Sequence, residues 1–217
     1  MTPTRLRLNA LAFASILILV PSSNAFDTPL SDTAVREAYF LGQRHDLRCL
    51  RTYTKVLPAP QRGPHIAMVT FLTPFAQVVQ QTSARIGNYS AQQAQIDHRG
   101  VTESVKLVIL VNLTPSYSAV ILPGDPSNPD NKPVLRSHDF WKDLHVTILD
   151  GDTARKPSEF LGHSNSSCGR RGPCALTGAT LELTFPAESF VSDRAVIWIT
   201  PPEIDPVVVE FDLTSLR

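Results

Sequence analysis

A mainly β domain is what this sequence predicts: a seven-strand antiparallel β-sandwich with an N-terminal helical hairpin and one or two inserted helices. Three observations lead there. Seven short runs carry strand-like alternation, six of them after Gly100. Eighteen prolines in 217 residues flank many of these runs, as in strands joined by tight loops. Helical periodicity is confined to the stretch between Ser31 and Gly100. Several short strands late in a chain with few helices read as a sandwich, and an immunoglobulin-like arrangement is one topology that fits. The Cys…Trp…Cys spacing of true immunoglobulin domains is absent.

The first 25 residues read as a secretory leader. Arg5 and Arg7 precede an apolar run from Leu8 to Val20, and Ser23-Asn24-Ala25 supplies the small residues that a signal peptidase reads. The run is 13 residues long, short of the roughly 20 that span a bilayer. Cleavage after Ala25 is therefore expected, with an extracytoplasmic location, periplasmic or secreted, and no transmembrane segment afterwards. The chain then divides into a helical hairpin over 26–61 and a sandwich over 62–217, with inserted helices at about 74–100.

Ser31 is placed to cap a helix carrying Val35, Ala38, Tyr39 and Gly42 at helical spacing. A second helical stretch starts near Asp46, with Leu47, Leu50, Thr54 and Leu57 on one face, and ends at Pro58 and Pro60. His65 to Leu72 is the first strand. Thr73 and Pro74 then form an N-cap and N1 pair opening a helix whose Phe75, Val78, Val79, Thr82 and Ile86 share a stripe. That stripe predicts docking on the sheet, with Gly87 ending the helix. Ser90 caps a shorter helix through Gln92 to Gln95, read as exposed.

Ser104 to Leu113 is apolar on one face throughout and in part on the other, which predicts a central strand. Further strands are expected at Tyr117–Leu122, Leu144–Leu149, Thr180–Phe185, Arg194–Thr200 and Val207–Leu213. The segment from Pro123 to Pro133, rich in Pro, Asp and Asn, reads as a loop.

Charge excludes some partners. The chain has 20 basic and 20 acidic residues, and loss of the leader leaves 18 against 20. Nothing favours nucleic acid. Cys168 and Cys174 enclose a short Gly-containing loop, and outside the cytoplasm such a pair reads as a disulfide, although Cys49 is an alternative partner for either. Cys49 itself is expected as a buried thiol in a helix.

Candidate chemistry is sparse. Gly162-His163-Ser164-Asn165-Ser166 approaches a nucleophile elbow but lacks the final Gly, and its surroundings read as a loop. Ser164 would need His138, His145 or His163 as base and a nearby Asp. His138, Asp139, Asp143 and His145 crowd one segment, at a spacing that matches no common zinc motif. His163 with Cys168 and Cys174 would supply metal ligands only if the disulfide did not form. Asp125, Asn128, Asp130 and Asn131 offer oxygens to calcium but are more simply turn residues. Trp198, between Ile197 and Ile199, is expected in the core, which leaves Trp141 as the exposed aromatic suited to a sugar. No catalytic set, cofactor motif or metal motif is complete.

Three segments resemble exported bacterial proteins of no named function: Ala38-Tyr39-Phe40-Leu41-Gly42-Gln43-Arg44, Thr73-Pro74-Phe75-Ala76-Gln77-Val78-Val79 and Phe211-Asp212-Leu213-Thr214-Ser215-Leu216-Arg217. The resemblance implies export and supplies no activity, cofactor or catalytic residue. The expected function is an exported, non-catalytic binding or structural module of the cell envelope, with an envelope protein or a glycan as partner. The alternatives are a hydrolase built on Ser164 and an adhesin-like module that binds glycans or calcium.

Overall fold

The computed structural model describes residues 25–217 except 46, 86, 88, 126–127, 129–131, 170–173 and 203. The leader expected over residues 1–25 thus lies outside the described residues, apart from Ala25.

The fold is mainly β, with antiparallel sheets. Helix α1 (Asp32–Gln43) starts at Ser31, whose side chain accepts the Ala34 N–H. A 3₁₀ helix (Leu47–Tyr53) follows, then β1 (Thr54–Val56) and β2 (His65–Leu72). Thr73 caps α2 (Pro74–Ala84) and Ser90 caps α3 (Ala91–Arg99), as their sequence positions predict. The strands β3 (Ser104–Asn112), β4 (Val120–Ile121), β5 (Val134–Leu135), β6 (His145–Asp150), β7 (Thr153–Arg155), β8 (Glu159–Cys168), β9 (Cys174–Pro186), β10 (Arg194–Thr200) and β11 (Val207–Asp212) complete the chain.

One sheet has the order β1-β2-β3-β9-β8, a second β11-β10-β6-β7, and β4 pairs with β5. β3 is central, and Val105, Leu107, Ile109 and Val111 are fully buried along it. The inward residues of both larger sheets enter one apolar cluster, which includes Val69, Phe71 and Leu181 from the first and Ile148, Ile197 and Phe211 from the second. Phe71 and Phe211 meet at 5.6 Å between ring centroids. Phe26, next to the expected cleavage point, inserts beside Phe71 and Phe190. Among the described residues no helix is long and apolar enough to cross a membrane.

Several expectations are corrected. The second helical stretch is a 3₁₀ helix ending at Tyr53, and Thr54 leaves it to pair with Thr70 of β2. Leu57 donates its N–H to the Ala67 carbonyl. An open sheet edge offered these residues ladder hydrogen bonds that overrode their helical spacing. Cys49 is exposed, not buried. The strand expected at 117–122 shortens to Val120–Ile121.

Helix α2 does not dock on the sheet through its stripe. Phe75, Val78 and Val79 join Leu30, Ala34, Val35 and Ala38 of the N-terminal segment and α1, with Ala94 of α3, in a second apolar cluster. Only Ala76 of α2 reaches the main core. Ile86, the last residue of the expected stripe, lies outside the described residues.

The segment read as a loop around Ser164 is the ten-residue edge strand β8. Its Ser- and Asn-rich composition conceals this. A strand at an edge needs only one neighbour for its backbone, and polar side chains are tolerated there. That neighbour is β9, paired from Glu159↔Thr184 to Cys168↔Cys174, with a register shift between Asn165 and Ser166. Cys168 and Cys174 are joined by a disulfide across this last pair, with Cα atoms 4.0 Å apart.

Candidate functional site

Two regions gather chemically versatile side chains. The first is the neighbourhood of Ser164. Residues paired across a ladder point to the same face, so Phe160, Gly162 and Ser164 share the inner face with Leu183, Leu181 and Ala179. His163 points to the other face and is exposed. The 3₁₀ helix Phe140–Asp143 packs against β8 and lays the Trp141 indole on Gly162. Phe160 meets the same indole edge-to-face at 5.7 Å.

His138, just before that helix, brings Nδ1 to 3.3 Å from Ser164 Oγ. The structure thus unites Ser164 with one of its three proposed bases. His145 lies elsewhere, exposed on β6 of the other sheet. A serine hydrolase also needs a group orienting the histidine and donors for an oxyanion. Among the described residues no carboxylate reaches His138, and the adjacent Asp139 is held by Lys142 Nζ at 2.6 Å. Ser164 is paired with Ala179 within a strand, not placed on the strained strand-to-helix turn that exposes a nucleophile.

The two tryptophans exchange their expected places. Trp141 is half-buried, and Trp198 is 42 % exposed. Strand periodicity explains the second. Ile197 and Ile199 face the core, so the residue between them must face out. Trp198 pairs there with Val208, itself 48 % exposed.

Asp150 and Asn128 have structural roles. Asp150 is buried, and its carboxylate accepts Arg155 Nη2 at 2.6 Å and the backbone N–H groups of Val191 and Ser192 at 3.2 and 3.0 Å. The buried Asn128 amide donates to the carbonyls of Leu122 and Lys132, holding its loop closed. Asp130 and Asn131 lie outside the described residues. The disulfide consumes the thiols that would have joined His163 around a metal. Among the described residues no three His, Cys, Asp or Glu side chains gather as a metal site.

The second region escaped sequence reasoning. A cleft of about 300 Å³ opens between α2, α3 and the start of β3. Gln77, Gln81 and Arg85 line it from α2 and the turn after it, with Tyr89, Asp97 and His98 opposite and Glu103 leading into β3. Its charges are arranged in pairs. Arg85 Nη1 lies 3.1 Å from Asp97, which also accepts the Gln93 amide at 2.7 Å and the Tyr89 hydroxyl at 3.2 Å. The Gln93 amide, with Tyr89 and Arg85 beside it, holds the Asp97 carboxyl below the ordinary carboxylate range. Burial pushes the Tyr89 phenol up, and its ring carries the Arg85 guanidinium at 4.1 Å.

Glu103 is the deepest charge, with its side chain 11 % exposed. It accepts His98 Nε2 at 2.8 Å, and the Thr28 hydroxyl and Leu30 N–H at 2.6 Å each. The N-terminal segment is thereby tied to the cleft wall. The Gln-rich helix is exposed at Gln92 and Gln93, yet its Ala94, Asp97 and His98 face inward to the cleft. The run Asp97-His98 followed by Glu103 was the available signal. The return of Arg85 and Tyr89 onto it is tertiary and had no local signature.

No protein-family model matches the chain, and no curated protein matches it.

Proposed function

We propose that this protein is an exported, non-catalytic binding or structural module of the cell envelope. Its two larger sheets close face to face as a β-sandwich, and an immunoglobulin-like topology is the nearest common plan. The leader-like first 25 residues and the Cys168–Cys174 disulfide support an extracytoplasmic, periplasmic or secreted, setting. The partner is an envelope protein or a glycan.

The observation that carries the non-catalytic reading is the state of Ser164. The strongest nucleophile candidate lies mid-strand, its histidine lacks an orienting carboxylate among the described residues, and no strained turn presents it. A hydrolase of unusual type is the second reading, and the 3.3 Å contact between His138 and Ser164 is what favours it.

The test has two parts. Intact mass of protein recovered outside the cytoplasm is expected to show an N-terminus at Phe26; a mature chain beginning at Met1 would remove the export reading. The mature protein, assayed against a series of p-nitrophenyl esters, is expected to match buffer, and Ser164→Ala to change nothing. Hydrolysis that disappears in that variant would replace the binding module with the hydrolase.

A further inference from the structure

We infer that the cleft between α2, α3 and β3 is a binding site for a neutral, polyhydroxylated ligand, a mono- or disaccharide or the end of a longer glycan. This deepens the reading of the chain as a non-catalytic binding module and rests on it.

Size and charge select the class. A volume of about 300 Å³ stands at the lower end of small-molecule sites. Each full charge in the cleft already has an opposite or hydrogen-bonding partner: Arg85 holds Asp97, and His98 holds Glu103. An anionic ligand would approach two carboxylates. A cationic ligand would approach Arg85 and compete for carboxylates that already accept three donors each. Neither gains enough to offset desolvation of its own charge.

A neutral hydroxyl-rich molecule meets no such conflict. Gln77 Nε2 donates to the carbonyls of Leu72 and Ser104 at 3.1 and 2.5 Å, which fixes the amide in place and leaves its Oε1 as an oriented acceptor. The Gln81 side chain is exposed and forms no hydrogen bond among the described residues, so both ends of its amide are open. Arg85 spends Nη1 on Asp97 and keeps further N–H donors. Between these polar groups lie Pro74, Val78, Ala94 and Val101, an apolar wall against which the C–H face of a sugar ring packs. Trp141, the aromatic that the sequence favoured for this role, is covered on one face by Gly162.

The experiment is a titration of the ¹⁵N-labelled mature protein with glucose, galactose, N-acetylglucosamine and cellobiose, and with glucuronate and glucosamine as charged counterparts. Two variants block the cleft from opposite sides at exposed positions, Gln81→Trp and Val101→Trp. Trp198→Ala controls for the outward aromatic on the other sheet. At least one neutral sugar is expected to shift the amides of Gln81, Tyr89 and Val101. Each blocking variant is expected to weaken that sugar tenfold or more while keeping the wild-type melting temperature, and Trp198→Ala is expected to leave it unchanged.

Shifts confined to other residues, shifts with the charged sugars alone, or none with any sugar would overturn the assignment. Hydrolysis of a chromogenic glycoside that is lost in Asp97→Asn would instead overturn the non-catalytic reading while leaving the saccharide in this cleft. The two failures are therefore distinguishable.

Discussion

The Trp141 indole occupies the space that a side chain at position 162 would need: a Cβ built on Gly162 would come within 2.3–2.5 Å of three ring atoms. Gly162 is thus the seat of the aromatic that closes the inner face of β8 next to Ser164. Gly162→Ala should expel the indole and destabilise the protein by about 1–3 kcal/mol. Urea unfolding measures the loss. In a Trp198→Phe background, tryptophan emission should also shift to longer wavelength. Unchanged emission would mean that the ring is not held on this glycine.

Helix α2 packs on α1 so closely that a Cβ on Gly42 would lie 2.5 Å from the Val79 carbonyl oxygen. Val79 is fully buried and Gln80 is exposed. Val79→Asp places an unpaired charge in this contact and should unfold the protein or lower its melting temperature sharply. Gln80→Asp should stay within about 0.5 kcal/mol of wild type. Equal thermal melts for the two, followed by circular dichroism, would contradict the packing.

Asp150 fastens the β6–β7 turn to the segment before β10 through Arg155, Val191 and Ser192. Arg155 Nε is buried with no hydrogen-bond partner among the described residues, so its guanidinium depends heavily on this carboxylate. Asp150→Ala should cost about 1–3 kcal/mol, since it strands two backbone N–H groups and a guanidinium that keeps a quarter of its side chain in solvent. Chemical denaturation reads it directly, and a loss under 1 kcal/mol would show that solvent replaces the carboxylate.

Replacing both Cys168 and Cys174 with Ser should cost about 2 kcal/mol, since the closed loop is short. The effect belongs at the loop end of the β8–β9 hairpin. Hydrogen exchange should therefore quicken near Ser166 and Leu176 and stay unchanged at Ile109, in the centre of the sheet. Cys49→Ser should alter neither measurement, because Cys49 takes no part in the bond.

Acid should weaken the fold through three carboxylates held below their ordinary range. The largest contribution is the Arg99 hydrogen bond for Asp32, the Gln93 amide for Asp97 and the Thr214 hydroxyl for Asp212. A carboxyl whose folded value is depressed contributes stability above its unfolded value, and that contribution disappears as pH falls through the folded value. Denaturation midpoints should hold down to about pH 4 and decline below it. Asp97→Asn should make the decline shallower. A midpoint that rises on acidification would show the opposite linkage.

The sequence by itself determined the local structure wherever one signal acted on neighbouring residues. Ser31, Thr73 and Ser90 each cap the helix that follows, because a side-chain oxygen satisfies an N–H three residues on. Alternation in Ser104–Asn112 marked the central strand, since a strand buried on one face and partly covered on the other is apolar on both. The pairing of Cys168 with Cys174 was legible as the preferred of several pairings. Tertiary structure decided what depends on a partner distant in sequence. Edge strand β8 exists because β9 supplies its hydrogen bonds, whatever its own polar composition. Trp198 faces out and Trp141 in because sheet faces, not hydrophobicity alone, assign them. The α2 stripe met α1 and not the sheet, as an amphipathic pattern specifies that a face is buried but not against what. The cleft follows the same logic: Arg85 meets Asp97 and His98 meets Glu103, at 3.1 and 2.8 Å, only once two helices and a strand end come together.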